Sequence, residues 1–435
     1  MELLESVDRE WAALVTFLPG DLDASSFESG ALVRRREVRS ASELMRLAMA
    51  YSVGGRSLRE TVAWAHEAGV AHLSDVALLK RLKASSKWLG GVLGCMLAER
   101  CRDLSARCPG LRVRLLDATT VSRQGSKGMD WRIHLGFDLG TLLIDHVELT
   151  DAKGGETFLR HPVRAGELII ADGGYAHRRG IHRVASCGGH VLVRLNWQNV
   201  PLVDADAKPL DIVAALTSVP IGGTLDLAVQ TAADEKSGTP SVAGRLVAVR
   251  KSQAAAERAR RHVIQQARKK GRTLDERTLI SADFIFVFTT LPAEQVSGAD
   301  VLELYRFRWQ IELAFKRLKG ILNLDQMTAQ DAELCKTFLF SKIIAALLVE
   351  KLARSGVGFS PWDTVDQYPP SMWRLYRMVL ETIHSVITGR CSIIRILAAA
   401  PLSSRALLDS PRRRPKQSLR AKTYALQLQC LPVLS

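Results

Sequence analysis

Two stretches decide the fold: Val113-Arg114-Leu115-Leu116-Asp117-Ala118-Thr119-Thr120 and Leu168-Ile169-Ile170-Ala171-Asp172-Gly173-Gly174-Tyr175. Each is a short apolar run that delivers an aspartate. Around Pro109 the hydrophobic period changes, and residues 111–120, 132–139 and 142–149 read as three strands, the last two joined by a turn at Gly140. Residues 168–171 read as a short buried strand, 178–186 as a helix and 190–195 as another strand. Three strands followed by alternating helix and strand form an α/β layer pattern. A carboxylate at the end of a buried strand loses hydration unless a cation or hydrogen-bond donors compensate, and functional residues of α/β sheets collect at such ends. For either aspartate alone, a turn-capping role is the competing explanation.

The flanking segments read differently. The first hundred residues are helical in pattern, with helices over 43–51, 57–66, 75–82 and 88–104; Ser57-Leu58-Arg59-Glu60 has capping-box spacing. Short helices separated by glycine turns suit a helix-turn-helix unit or a plain helical bundle, and the pattern leaves both open. Between about 197 and 281 the composition becomes rich in Gly, Ser, Thr and Pro, with strands over 225–229 and 245–250. The segment Lys251 to Arg277 then carries nine basic residues against Glu257, Asp275 and Glu276, either a solvated helix face or a nucleic-acid contact. Residues 283–289 return to strand, 299–322 to helix, and the remainder is mostly helical, broken at Pro369-Pro370 and ending in the basic tract Arg412 to Lys416. The resulting pattern is an α/β core with a strand-bearing segment of shifted composition before its last strand, and helical N- and C-terminal regions. A ribonuclease-H-like core fits this order, among other folds.

Charge narrows the partner. The 435 residues hold 60 Lys and Arg against 45 Asp and Glu, a formal net charge of +15. That surplus favours a polyanion, nucleic acid first and an anionic membrane surface second. Seven scattered cysteines without a CxxC pair indicate neither a disulfide scaffold nor a zinc ribbon. The acidic start MELLESVDRE is unlike a signal peptide, and the longest apolar stretch, 337–349, is short and carries Lys342. The expectation is a soluble protein of a reducing compartment. Neither GxxxxGK[ST] nor GxGxxG occurs, so no nucleotide cofactor is expected. His177, His182 and His190 near Asp172 have no zinc spacing, and Glu156 reads as a helix-start residue rather than a ligand.

The most specific element is Tyr305-Arg306-Phe307-Arg308-Trp309-Gln310-Ile311-Glu312-Leu313-Ala314-Phe315-Lys316-Arg317-Leu318-Lys319. On a continuous α-helix at about 100° per residue, Tyr305, Arg308, Glu312 and Lys319 share one stripe roughly 60° wide. Phe307, Ile311, Ala314, Phe315 and Leu318 form a separate apolar face. A carboxylate can hold a divalent metal while flanking cations hold phosphates. A solvated face with an Arg308–Glu312 pair, contributing only about 0.3–0.5 kcal/mol, is the alternative.

With these residues in place, the sequence resembles the DDE transposases of the bacterial insertion-sequence-four group. The signature of that family is Tyr, two residues, Arg, three residues, Glu, six residues, Lys, and Tyr305, Arg308, Glu312 and Lys319 match every interval. Asp117 in Leu-Leu-Asp-Ala-Thr-Thr-Val resembles its first catalytic Asp, and Asp172 in Ala-Asp-Gly-Gly-Tyr its second. The separations of 55 and 140 residues suit a catalytic core interrupted by a β insertion before the Glu. The resemblance covers about residues 40 to 330; Gly173 departs from it, standing where many members carry Arg, and Trp197 is a candidate for the family's base-flipping Trp, with packing as its alternative.

The resemblance implies an enzyme that binds the terminal inverted repeats of its own insertion sequence, cleaves DNA at the element ends and joins the 3′-hydroxyls to target DNA. It implies Asp117, Asp172 and Glu312 as ligands of two Mg²⁺ ions, with Mn²⁺ able to substitute, about 3.5–4 Å apart, and Tyr305, Arg308 and Lys319 as phosphate contacts. It further implies a homodimer in a synaptic complex and a cytoplasmic, nucleoid-associated location. The corresponding division is a DNA-binding helical region at 1–108, core segments at 109–196 and 282–335, a basic β-rich insertion at 197–281 and a C-terminal helical region for dimerisation at 336–435. A ribonuclease-H-like nuclease without strand transfer and a catalytically silent transposase-derived DNA-binding protein are the alternatives; the cationic stripe argues against the first and the intact acids against the second.

Overall fold

A computed structural model describes residues 2–107, 111–123, 125–126, 128–141, 143–327, 329–357 and 371–389. The Pro369-Pro370 break and the Arg412–Lys416 tract lie outside them. Nine strands form one mixed sheet: β1 (Arg112–Val121), β2 (Trp131–Asp138), β3 (Leu143–Asp151), β4 (Glu167–Ala171), β5 (His190–Arg194), β6 (Leu202–Val203), β7 (Thr224–Thr231), β8 (Ala243–Arg250) and β9 (Phe284–Thr289). Their order is β3-β2-β1-β4-β5-β9-β8-β7-β6. Strands β1, β4 and β5 are mutually parallel, and every other pairing is antiparallel. Strands β7 and β8, from the 197–281 segment, are hydrogen-bonded into the sheet through β9.

Strand alternation gives the sheet two apolar faces. Leu115, Ile170, Leu192 and Val287 join a large core shared with the terminal helices, whereas Leu116, Ile169, Val193, Leu246 and Phe288 face a smaller core on the other side. The larger core gathers α1 (Glu2–Val15), α2 (Leu22–Glu28), α3 (Ala41–Ser52), α4 (Leu58–Glu67), α5 (Asp75–Ala84) and α6 (Ser86–Arg107). The smaller side carries α7 (Arg178–Ser186), after which come α8 (Ile212–Thr217), α9 (Gln253–Lys269) and α10 (Glu276–Ser281). The chain then runs through α11 (Gly298–Arg306), α12 (Trp309–Leu322), α13 (Ala332–Val357) and α14 (Met372–Thr388).

Helix α13 is the hub of the helical layer, packing on α3, α5, α6, α12 and α14. Its stretch Ile343 to Val349 is buried on every side, which explains its unbroken apolar run. No helix among the described residues is long and apolar enough to cross a membrane. Lys342, buried just before this run, donates from Nζ to the Asn323 carbonyl oxygen at 2.6 Å, and burial pushes its pKa down to about 8. Asn323 ends α12 in the left-handed region at φ 49°, where Asn is tolerated. The N-terminal helices pack as a bundle against α13 and α14. Ser57 caps α4 with both reciprocal bonds of the capping box, and buried Arg46 donates to the Ile387 carbonyl oxygen at 3.1 Å, tying α3 to the end of α14.

The base of the sheet holds a buried ionic lattice. Arg112 and Arg114 of β1 meet Asp138 of β2, Asp145 of β3 and Glu167 of β4 through contacts of 2.6 to 3.2 Å. Removing one member strands the opposite charge in a low dielectric. Asp145→Ala is expected to lower unfolding stability by about 3–5 kcal/mol in urea titrations. Arg35→Ala, which breaks an exposed 3.4 Å pair with Asp23, should cost no more than about 1 kcal/mol.

Candidate active site

Register brings the two aspartates together. Leu116 of β1 stands opposite Ala171 of β4, so the residues that follow, Asp117 and Asp172, are neighbours at about the 4.8 Å strand spacing. Ala171 in turn pairs with Val193 of β5, which extends the row to Arg194. Alternation turns this row to the side of Leu115, Ile170 and Leu192, where α12 packs on β1. Asp117 Oδ1 accepts from the Ala118 amide at 2.8 Å, and Asp172 Oδ1 caps a single 3-10 turn, Gly173–Tyr175, by accepting from the Gly174 amide at 2.9 Å.

The helix expected over 299–322 is two helices. Between α11 and α12 the amides of Phe307, Arg308, Gln310 and Ile311 bond to carbonyls three residues back, at 2.8 to 3.2 Å. Such bonding tightens the turn to about 120° per residue, so the uniform stripe does not hold across the joint. The apolar face is retained, since Phe307, Ile311, Ala314, Phe315 and Leu318 are all buried. The tightened turn fixes Phe307 in the core while Arg308 points to the carboxylates.

Arg308 is the centre of the arrangement. Its Nη2 donates to Glu312 Oε1 at 2.5 Å, its Nη1 lies 4.0 Å from Asp117 Oδ2, and its guanidinium is 6.0 Å from the Tyr305 ring centroid. Burial disfavours its charge, but Tyr305, Glu312 and Asp117 outweigh that and hold its pKa above the ordinary value. Burial pushes the Tyr305 hydroxyl up, with Arg308 and Arg194 opposing the shift and Asp172 adding to it. Asp117 is pushed up to about 7, mainly by burial and further by Asp172 and Glu156, against the Ala118 amide and Arg308. Lys319 is half-buried three turns of sequence further along α12. Thus Tyr305, Arg308, Glu312, Asp117 and Asp172 converge, whereas Lys319 extends the line along the helix.

Asp117, Asp172 and Glu312 offer the oxygen ligands that a hard divalent cation takes. Arg308, wedged between Asp117 and Glu312, supplies the positive charge that these carboxylates otherwise lack. With Glu312 turned onto Arg308, no three His, Cys, Asp or Glu side chains among the described residues are gathered closely enough to hold a metal.

One neighbour escaped the sequence reading, and a second was read there only as a helix start. Arg194, exposed at the end of β5, completes the strand-end row, and the strand-end argument applied to Asp117 and Asp172 also picks it out. Glu156, expected to start a helix, instead precedes the Thr157 cap of a 3-10 turn and lies against Gly174. Nothing in its local sequence signals this. Trp197 is partly buried against the smaller core beneath the Arg277 guanidinium, 4.9 Å from its ring centroid.

Residues 109–348 match the family model described as "Transposase DDE domain". The chain belongs to the DDE transposase family, enzymes that cleave DNA and transfer its strands with the help of divalent metal. Over 356 residues it is 37% identical to the putative transposase InsL of insertion sequence element IS186A from Escherichia coli strain K12, covering 81% of this chain and 96% of that protein. The transposase of insertion sequence element IS421 from Escherichia coli is likewise 37% identical over 357 residues, with the same coverage. Among solved structures, the piggyBac transposase synaptic complex with hairpin DNA gives a TM-score of 0.44 at 9% identity, covering 93% of this chain and 85% of that one.

The elevated Asp117 carboxyl bears on stability. Its folded pKa, about 7, exceeds the ordinary 3.8, so the folded state binds the proton more tightly than the unfolded chain. Stability therefore falls as pH rises from about 4 to about 7 and stays lower above that range. Asp117→Asn is expected to raise the melting temperature of the metal-free protein by a few degrees at about pH 8, with the gain shrinking as pH approaches 4. Melts in EDTA across that range check the sign; equal melting temperatures at pH 8 would contradict it.

Proposed function

We propose that this transposase binds the terminal inverted repeats of its own insertion sequence, cleaves at the element ends and joins the 3′-hydroxyls to target DNA from a ribonuclease-H-like core with a β-rich insertion. The observation that carries the residue assignments is the parallel register that sets Asp117 beside Asp172, near Arg308 at the start of α12 and its partner Glu312. Asp117, Asp172 and Glu312 are the residues that would hold Mg²⁺ or Mn²⁺. Bound divalent ions would supply Lewis-acid charge to the attacking and leaving oxygens of an in-line displacement. Arg308 would exchange Glu312 for a DNA phosphate, a bidentate partner suited to a guanidinium. That exchange would free Glu312 to turn toward Asp117. Tyr305 and Lys319 would grip phosphates to either side, fixing the scissile bond.

The wider surface supports a nucleic-acid partner. Helix α9 exposes Arg258, Arg261, Arg268 and Lys269, with Lys270 and Arg272 just beyond it, a cluster suited to phosphates. In this reading the 1–108 helices and the 197–281 segment bind the repeats, and the 336–435 region helps pair two protomers in a synaptic complex, as a homodimer associated with the bacterial nucleoid.

Purified protein, Mg²⁺ and oligonucleotides carrying the flanking terminal repeats test the reaction. The wild type should yield joined strands. Asp117→Asn, Asp172→Asn and Glu312→Gln should each lower cleavage by roughly 10³-fold or more, since several kcal/mol of metal stabilisation is lost. Repeat binding in gel shifts should persist. Loss of binding in step with cleavage would count against the assignment. Replacing Arg261, Arg268 and Lys269 by Gln should flatten the salt dependence of DNA binding by about 0.9 in log–log slope for each phosphate contact removed. Titrations at several salt concentrations measure that slope.

A further inference from the structure

Glu312 rides on α12, so its position depends on how that helix is anchored. The three-residue bonding at Phe307–Arg308 separates α12 from α11, and α12 therefore does not inherit its line from the preceding helix. Glu312 stands in the first turn and Asn323 closes the last, about 16 Å further along the axis. The segment beyond Asn323 is tied to the exit of β1. Met327 forms a parallel bridge with Arg123. Arg123 Nη1 donates to the Gln330 carbonyl oxygen at 2.7 Å, while its Nη2 pairs with Asp130 at 2.7 Å.

At the far end of α12 the anchor is a buried ammonium. The Asn323 carbonyl oxygen accepts from the Gln326 amide at 3.0 Å and from Lys342 Nζ at 2.6 Å. Lys342, on α13, is 3% exposed and makes no ion pair among the described residues; its Nζ lies 4.3 Å from the Phe338 ring centroid. Burying an ammonium against one carbonyl and one ring is costly, and an apolar side chain in this helix would avoid that cost. What the ammonium adds is direction: a cationic donor at the carbonyl end of α12, where the helix dipole is negative. Burial pushes its pKa down to about 8, and Asp325, the charged group that bears on it from the segment after α12, opposes the shift.

We propose that Lys342 is a positioning residue for strand cleavage: through the Asn323 carbonyl its buried ammonium fixes the far end of α12, and through the helix it aims Glu312 at the two aspartates. The inference rests on the reading of Glu312 as one of the three acids of the active site. In the competing role Lys342 only packs the hub helix α13, and any side chain that fits would serve as well.

Single-turnover cleavage of pre-bound terminal-repeat oligonucleotides by the full chain, followed from about pH 7 to about pH 9 beside gel shifts and melting curves, separates these roles. Lys342→Met should cleave about 10- to 100-fold more slowly near the low end of that range, as small misplacements of reacting groups do, with DNA affinity unchanged. The wild type should lose its advantage over Lys342→Met as pH rises through about 8, where the ammonium gives up its proton. Lys342→Arg, charged throughout, should retain cleavage and lack that decline. Full-rate cleavage by Lys342→Met would overturn the proposal. So would a wild-type-to-Met ratio that stays constant with pH, or a loss of rate that tracks a lowered melting temperature and recovers on cooling. If Lys342→Met does not fold, Lys342→Arg carries the test: a decline above pH 8 that persists in it counts against the ammonium. Glu312→Gln controls the underlying reading, which fails if that variant cleaves normally, whatever the Lys342 variants do.

Discussion

Parallel pairing of β1, β4 and β5 sets Leu116, Ala171 and Val193 in one row, and the charged residues follow one position later. Asp117, Asp172 and Arg194 then emerge side by side, two negative charges and one positive, at the end of a sheet whose backbone bonds leave little freedom to adjust. A slip of one residue in either pairing would turn a carboxylate to the opposite face. The apolar strand residues thus do more than fill a core: Leu115, Ile170 and Leu192 select the face on which the acids appear.

The opposite end of β1 shows how the register is held. Arg112 and Arg114 bind acids from β2, β3 and β4, so β1 and these three strands share one lattice of directional contacts. Buried ion pairs add little net stability over apolar packing, because desolvation opposes the Coulomb gain. Their directionality is the useful property. A shifted strand would leave a guanidinium or carboxylate unmatched, an error that apolar side chains penalise far less.

Much of this was legible in the sequence because it depends on local pattern. The strands carrying Asp117 and Asp172, the α7 segment and the Ser57 capping box all follow from alternation, period and cap chemistry. The joint at Phe307–Arg308 was not legible: a stretch of continuous helical periodicity gives no warning of three-residue hydrogen bonding, which arises from burying Phe307 while Arg308 reaches across to β1. Glu156 was illegible for another reason. Its position is set by the path of an irregular connection, and only Gly174, whose missing side chain admits it, hints at the contact. Nor does alternation alone reveal that β7 and β8 join the main sheet, since edge-to-edge pairing is a property of two partners.

Strand β9 gives the sheet a seam with its own logic. It lies between β5 and β8, joining residues near 190 to residues near 285. Closing such a long loop is slow, because chain entropy is lost before the pairing stabilises it. Yet its equilibrium cost is nearly indifferent to length, growing by only about 0.6 kcal/mol per doubling. The stretch between β5 and β8 can therefore lengthen or shorten widely while β9 keeps its place, so the surface it carries can be remodelled independently of the two aspartates. A newly made chain also exposes the free edge of β5 until residue 289 has emerged, and only later does α12 arrive. The strand-end row is built early and covered last.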